Sequence, residues 1–243
     1  MRGRTRYRWI AAVGAVALVI ASAAGGYVVA IQQLGVSEPE IPETSAEFCG
    51  ERFEDLCRLE HANYRKAWEI GQRLADRQCL IATAESITTG NFAGTFGKVR
   101  WAGLVLAGGV AAYNTSVKNA LLGVSETVDK NLVSEAAARD MVNGLRTLFG
   151  SVDVWQERRG QEQRICLHIA LTGAATQWGE ITPKVHIGLA LSDGPVDVRT
   201  FGLKRGLQPQ NYARRYNIQL AIWHGLNLIE QRLETLPQRL DIG

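Results

Sequence analysis

Five short apolar runs, interleaved with helical patterns, constrain this chain more than any other feature. They are CLIATA (79–84), LVLAGGVAAY (104–113), ICLHIALTG (165–173), KVHIGLAL (184–191) and VDVRTF (196–201). Short apolar runs bounded by turn residues read as strands. Helical spacing occupies 117–122, 134–149 and 210–234. In the last of these, Tyr212, Tyr216, Leu220, Trp223, Leu226 and Ile229 share one broad face. Another helical stretch runs from about Phe48 to Asp76, with Phe53, Leu56, Tyr64, Trp68 and Leu74 on a loose apolar face. Alternation of this kind predicts an α/β layered domain. WQERRGQEQR (155–164) reads as a surface loop before a strand.

The N-terminus has a different character. Residues 9–31, WIAAVGAVALVIASAAGGYVVAI, carry no charge. That length suffices to cross a bilayer core of roughly 30 Å as a single helix. Ala21-Ser22-Ala23 resembles a signal-peptide cleavage site, but the apolar run continues past it, so an uncleaved transmembrane helix is expected. Arg2, Arg4, Arg6 and Arg8 precede the span, and Glu38, Glu40, Glu43 and Glu47 follow it. This asymmetry predicts a single-pass membrane protein with residues 1–8 cytoplasmic and the C-terminal domain periplasmic or otherwise extracytoplasmic. Gly14, Ala17, Ala21 and Gly25 form a small-residue stripe of the kind that packs against another membrane helix. Residues 32–47, with two prolines and four acids, read as a linker to a domain over 48–243.

The formal net charge is +3, from 27 Lys and Arg against 24 Asp and Glu. Without the four N-terminal arginines the remainder is almost neutral, which gives no electrostatic footprint for nucleic acid. Four cysteines stand at 49, 57, 79 and 166, with no CxxC and no His/Cys ligand spacing, so no metal or other cofactor is expected. Cys49 and Cys57 can pair only if Gly50 breaks the helix between them. Cys79 and Cys166 each begin a strand. They pair if those strands are neighbours and are otherwise buried thiols.

The residues suited to chemistry lie at strand ends, where the groups of an α/β sheet converge on one crevice. Ser86 closes the first strand and is a candidate nucleophile, with Lys118 as its base should burial lower the lysine's pKa. Tyr113 relays a proton or holds the lysine. Thr172 and nearby N–H groups are candidates to stabilise an oxyanion. Thr88 and Thr89 stand where a helix begins, with N–H groups suited to an anion, and Arg205 has the geometry to grip a phosphate. His168 and His186 alternate into strands and are expected to pack there.

AESITTG (84–90), GGVAAYNTSVKNALLGVS (108–125), LVSEAAARDMVNGLR (132–146), ALTGAA (170–175) and FGLKR (201–205) together resemble the C-terminal domain of the competence/damage-inducible CinA proteins. The likeness spans roughly residues 65–234, and the second segment is its most specific part. It implies a three-layer α/β/α sandwich. It also implies an amidohydrolase of the kind that deamidates nicotinamide mononucleotide, with functional positions at Ser86, Thr88, Tyr113, Lys118, Thr172 and Arg205. Two segments depart from the pattern. AESCTGG is replaced by AESITTG, with Ile87 and Thr89 at the changed positions, and the TGIAGPxGG loop is replaced by TGAATQWGE (172–180). Trp178 is expected either to fold over Ser86 or to point outward as an anchor for a partner, leaving no nucleotide cradle beside Ser86.

Two functional expectations follow. The leading one is a non-catalytic, membrane-anchored accessory subunit, with other membrane protein subunits as partners through the span and the outer domain. The alternative is an amidohydrolase acting on a small nucleotide-like amide.

Overall fold

The computed structural model describes residues 53–125, 133–150, 163–177, 179–192 and 194–235. These belong to one compact unit, Thr44–Gly243. Helix α1 (Glu54–Asp76) leads into strand β1 (Cys79–Glu85). Next come the short helices α2 (Asn91–Gly97) and α3 (Ala102–Val105), and then β2 (Leu106–Ala111). Helices α4 (Thr115–Leu122) and α5 (Glu135–Gly150) precede β3 (Arg164–Ala174), β4 (Lys184–Leu191), β5 (Asp197–Gly202) and the long α6 (Gln210–Glu234).

The five strands form one mixed sheet in the order β2-β1-β3-β4-β5. β2, β1 and β3 are parallel, and β4 and β5 return antiparallel. β1 is buried along its whole length, as a central strand covered on both faces requires. Leu167, Ile169 and Leu171 of β3 face one core with Ile70 and Leu74 of α1 and Ile222, Leu226 and Ile229 of α6. Ala84, Ala170 and Ala190 face a second core with Leu122 of α4 and Met141, Val142 and Leu145 of α5. Helices therefore cover both faces, as the sequence predicts. Small sheet residues on the second face let α5 lie close, and α4 packs against α5.

Two boundaries differ from expectation. The run from 104 to 113 does not extend as one strand, because Ala102–Val105 forms a helical turn and β2 begins at Leu106. The glycine pair of LAGGVA lies in this half-buried edge strand, where a continuous apolar run is not needed. β3 starts at Arg164, the last residue assigned to the surface loop, while 151–162 lie outside the described residues.

Because β1 and β3 are neighbours, Cys79 and Cys166 meet as a buried disulfide, with Cα atoms 5.4 Å apart. Cys166 falls where the register slips between Leu80↔Ile165 and Ile81↔Leu167. Cys57 is also disulfide-bonded, while Cys49 lies outside the described residues. The apolar stretch 9–31 and the linker lie outside the described residues too. Among the described residues no helix is long and apolar enough to cross a membrane.

Candidate functional site

The chain leaves β1 for β2 on one side of it, then crosses back to β3 on the other side. Such a switch opens a crevice at the carboxyl ends of β1 and β3. Ser86 follows β1 directly. Its N–H donates to the Leu171 carbonyl of β3 at 2.9 Å, which fixes the residue to the sheet.

Glu85 shapes the turn after Ser86. Its buried carboxylate accepts the N–H groups of Phe92 (2.9 Å) and Ala93 (2.8 Å) at the start of α2, and the Thr83 hydroxyl at 3.3 Å. Those two helix-start donors, which the sequence leaves available for an anion, are thus already satisfied. Thr88 is fully buried, and its carbonyl accepts the Asn91 backbone and side-chain N–H groups at 2.9 and 2.6 Å. Thr89 is exposed at φ 51°, in the left-handed region, followed by Gly90 at φ 90°. The backbone here keeps a glycine-like conformation although a β-branched residue occupies it. Left-handed backbone costs a residue with a Cβ about 1–2 kcal/mol, and glycine's extra chain entropy offsets about 0.5–1 of that. Thr89→Gly is therefore expected to raise stability by roughly 0.5–1 kcal/mol in chemical denaturation. A loss would show that the Thr89 side chain does more for the fold than its backbone strain costs.

Lys118 comes from α4. Asn114 caps this helix by accepting the Ser116 N–H at 2.9 Å, and Gly123 ends it at φ 62°. One turn before Leu122, Lys118 shares the face that α4 turns toward the second core and is only 4% exposed. Ser86, Tyr113 and Lys118 line one cavity of about 480 Å³, together with Ile87, Asn114, Thr115, Val133, Gly173 through Gln177, Gln210 and Arg214. Tyr113 stands at its mouth, 60% exposed. Ile87 contributes to the cavity wall and to the first core.

Thr172 is fully buried behind Gly173, and its Oγ1 has no hydrogen-bond partner among the described residues. Arg205 is exposed and lines an adjoining recess of about 220 Å³ with Lys204. The two hollows share Thr176, Gln177 and Gln210. Of the seven residues read from the sequence, three share the cavity, Arg205 borders its neighbour, and Thr88, Thr89 and Thr172 lie outside both linings. Trp178 lies outside the described residues, so the expectation about its ring is not addressed. The described residues leave open space beside Ser86.

Arg214 was not singled out by sequence reasoning. Its Nη2 donates to the Tyr113 hydroxyl at 3.4 Å, and its guanidinium carbon sits 5.8 Å from the Tyr113 ring centre. The two residues are 101 positions apart, so no spacing rule joins them. The one available signal was helical: Arg214 lies four residues after Gln210, on the same face of α6.

A second polar group lies on the sheet face toward α5. Thr200 donates to Glu135 Oε1 at 2.7 Å, so its oxygen accepts from His186 Nδ1 at 2.8 Å. His186 also pairs with Thr172 across β3 and β4. Both strand histidines, His168 and His186, are buried as expected. Burial pushes the His186 pKa down, reinforced by Lys184 and opposed by Glu135 and the Val133 backbone. His224, stacked on Phe201 at 4.3 Å, is likewise lowered by burial. A depressed folded-state value makes the folded form bind fewer protons than the unfolded chain. Stability should then be complete above the ordinary histidine value of 6.5 and decline as pH falls through it toward the lowered values. Thermal midpoints at pH 7.5 and pH 5 test this. His186→Gln should shrink the difference, and an unchanged difference would remove His186 from the account. Among the described residues no group of three or more His, Cys, Asp or Glu is placed to hold a metal ion.

Comparison with known proteins bears on the fold. Residues 63–153 match the model of the family described as the CinA C-terminal domain. A CinA-like protein of Gloeobacter violaceus is 31% identical over 168 residues, 63% of this chain and 35% of that protein. A putative competence-damage inducible protein of Levilactobacillus brevis is 44% identical over 79 residues, 32% of this chain and 19% of its own length. The chain thus spans about a third or less of these curated relatives. Among solved structures, competence damage-inducible protein A of Klebsiella pneumoniae superposes with a TM-score of 0.59 at 22% identity, covering 72% of this chain and 99% of that one. The Agrobacterium tumefaciens competence/damage inducible protein gives 0.53 at 23% identity, covering 70% and 96%. At those identities the likeness is one of fold.

Proposed function

We propose that this chain, whose residues 63–153 match the CinA C-terminal domain family, is an amidohydrolase acting on a small, negatively charged amide. The observation that carries this reading is the convergence of Ser86, Tyr113 and Lys118 on one cavity of about 480 Å³. That volume is within the usual range for small-molecule sites. In the proposed reaction Ser86 Oγ attacks the carboxamide carbon while Lys118 takes its proton. Collapse of the tetrahedral adduct expels the amine, which Lys118 protonates, leaving an acyl ester on Ser86. Water, deprotonated in the same way, then cleaves the ester and restores the serine. The net change is amide plus water to carboxylate plus ammonium. Tyr113 is placed to pass a proton or orient the lysine, and the loop from Gly173 to Gln177 supplies backbone for the oxyanion. The test is ammonia release from nicotinamide mononucleotide and a panel of phosphorylated carboxamides. Turnover of at least one of them is expected, and inertness toward the panel would sink the reading.

The second reading, a membrane-anchored accessory part held outside the cytoplasm, has one observation in its favour. The Cys79–Cys166 disulfide is the kind of bond that persists in oxidising compartments. Purification in mild detergent separates the two readings. Stable co-migration with other membrane subunits, in protein without amidase turnover, would favour the accessory role.

A further inference from the structure

We propose that the crevice takes a substrate carrying two anionic groups besides its amide, and that Arg214 holds the second of them. The amide rests on the amidase reading; the two anions rest on charge and geometry alone. The 480 Å³ cavity is lined by two charged side chains, Lys118 and Arg214, and by no carboxylate among the described residues. The adjoining 220 Å³ recess repeats the pattern with Lys204 and Arg205. Among the described residues four cations and no acid therefore line a pair of hollows that share Thr176, Gln177 and Gln210. Among the described residues no salt bridge neutralises Lys204, Arg205 or Arg214, whereas the next residue, Arg215, lies 4.0 Å from Glu60.

Concave surfaces lined by one sign of charge focus such a field. Lys118 is committed to proton transfer, so it is not a static anion anchor. Lys204 and Arg205 occupy one recess and suffice for one phosphate. Arg214 remains. Its planar fork suits a phosphate or carboxylate oxygen pair, and among the described residues it is held by nothing stronger than the 3.4 Å hydrogen bond it donates to the exposed Tyr113 and that residue's ring face. An anion displaces such a contact easily. Arg214 then leaves Tyr113, and the tyrosine at the mouth is released for the reaction. A diphosphate ester carries two such anions.

Calorimetric titration of the full chain with inorganic phosphate, pyrophosphate and tripolyphosphate tests this without any turnover. The longer anions should bind at least about tenfold more tightly than phosphate, a difference of about 1.4 kcal/mol. Arg214→Gln should erase that preference while leaving phosphate affinity nearly unchanged. Arg205→Gln should weaken all three, and Arg215→Gln should alter none. Equal affinities for the three anions would overturn the proposal. So would an Arg214→Gln protein that keeps the preference, or an Arg215→Gln loss as large as that of Arg214→Gln, which would mark bulk charge rather than a site. Should the anion preference persist while no amide is hydrolysed, the amidase reading fails alone.

Discussion

Ser86→Ala is expected to abolish ammonia release, lowering kcat by a factor on the order of 10³ or more while the protein folds normally. The serine is 5% exposed and fixed by its N–H to Leu171, so removing one oxygen leaves the turn intact. Lys118→Ala should lower kcat by roughly 10²–10⁴, the usual range for a lost general base. If the two act as one unit, the double variant should be little worse than Ser86→Ala alone. Additive losses would mean that Lys118 contributes by binding and not by moving the serine's proton. Unaltered turnover in Ser86→Ala would place the reaction elsewhere in the crevice. Circular dichroism and a melting midpoint near that of the unmodified protein are the control for folding.

The largest effect on stability is expected at a position without chemistry. Gly144 lies on α5, where that helix crosses α4. A Cβ built on it would stand 2.1 Å from the Leu122 carbonyl oxygen and 2.6 Å from that residue's carbonyl carbon and Cα. These are backbone atoms, so no side chain can swing aside. Gly144→Ala must push α4 and α5 apart and should cost about 2–3 kcal/mol in chemical denaturation, against the usual gain for Gly→Ala within a helix. Because α4 carries Lys118, the same change should reduce turnover beyond what stability alone explains. A variant within about 0.5 kcal/mol of the parent would mean that the helices can separate freely.

These two sites divide what was legible beforehand from what was not. Ser86 and Tyr113 were singled out at strand ends and Lys118 just beyond the second strand, on what proves to be α4, and the three line one cavity because α/β topology gathers such ends on one side of the sheet. β4 and α6 ran where their periodicity put them, 184–191 and 210–234, because each presents a consistent apolar pattern to a core. The 104–113 run misled, since apolar content does not separate a half-buried helical turn from an edge strand. Glu85 was visible as an acid beside Ser86, but its role needs the N–H groups of Phe92 and Ala93 to arrive from α2. The Cys79–Cys166 bond stayed an open alternative until β1 and β3 proved adjacent, because spacing of 87 residues carries no pairing information.

The sequence by itself determined the order of the five strands and the four longer helices, the near-neutral charge of the domain and the identity of the strand-end side chains. All of these are set by local periodicity and residue type. Only the tertiary structure decided which side chains share a cavity. It set Thr172 behind the wall, gave Arg205 a separate recess, and brought Arg214 against Tyr113. Those outcomes depend on strand order and on how closely α4, α5 and α6 approach the sheet, distances fixed by packing between residues far apart in the chain.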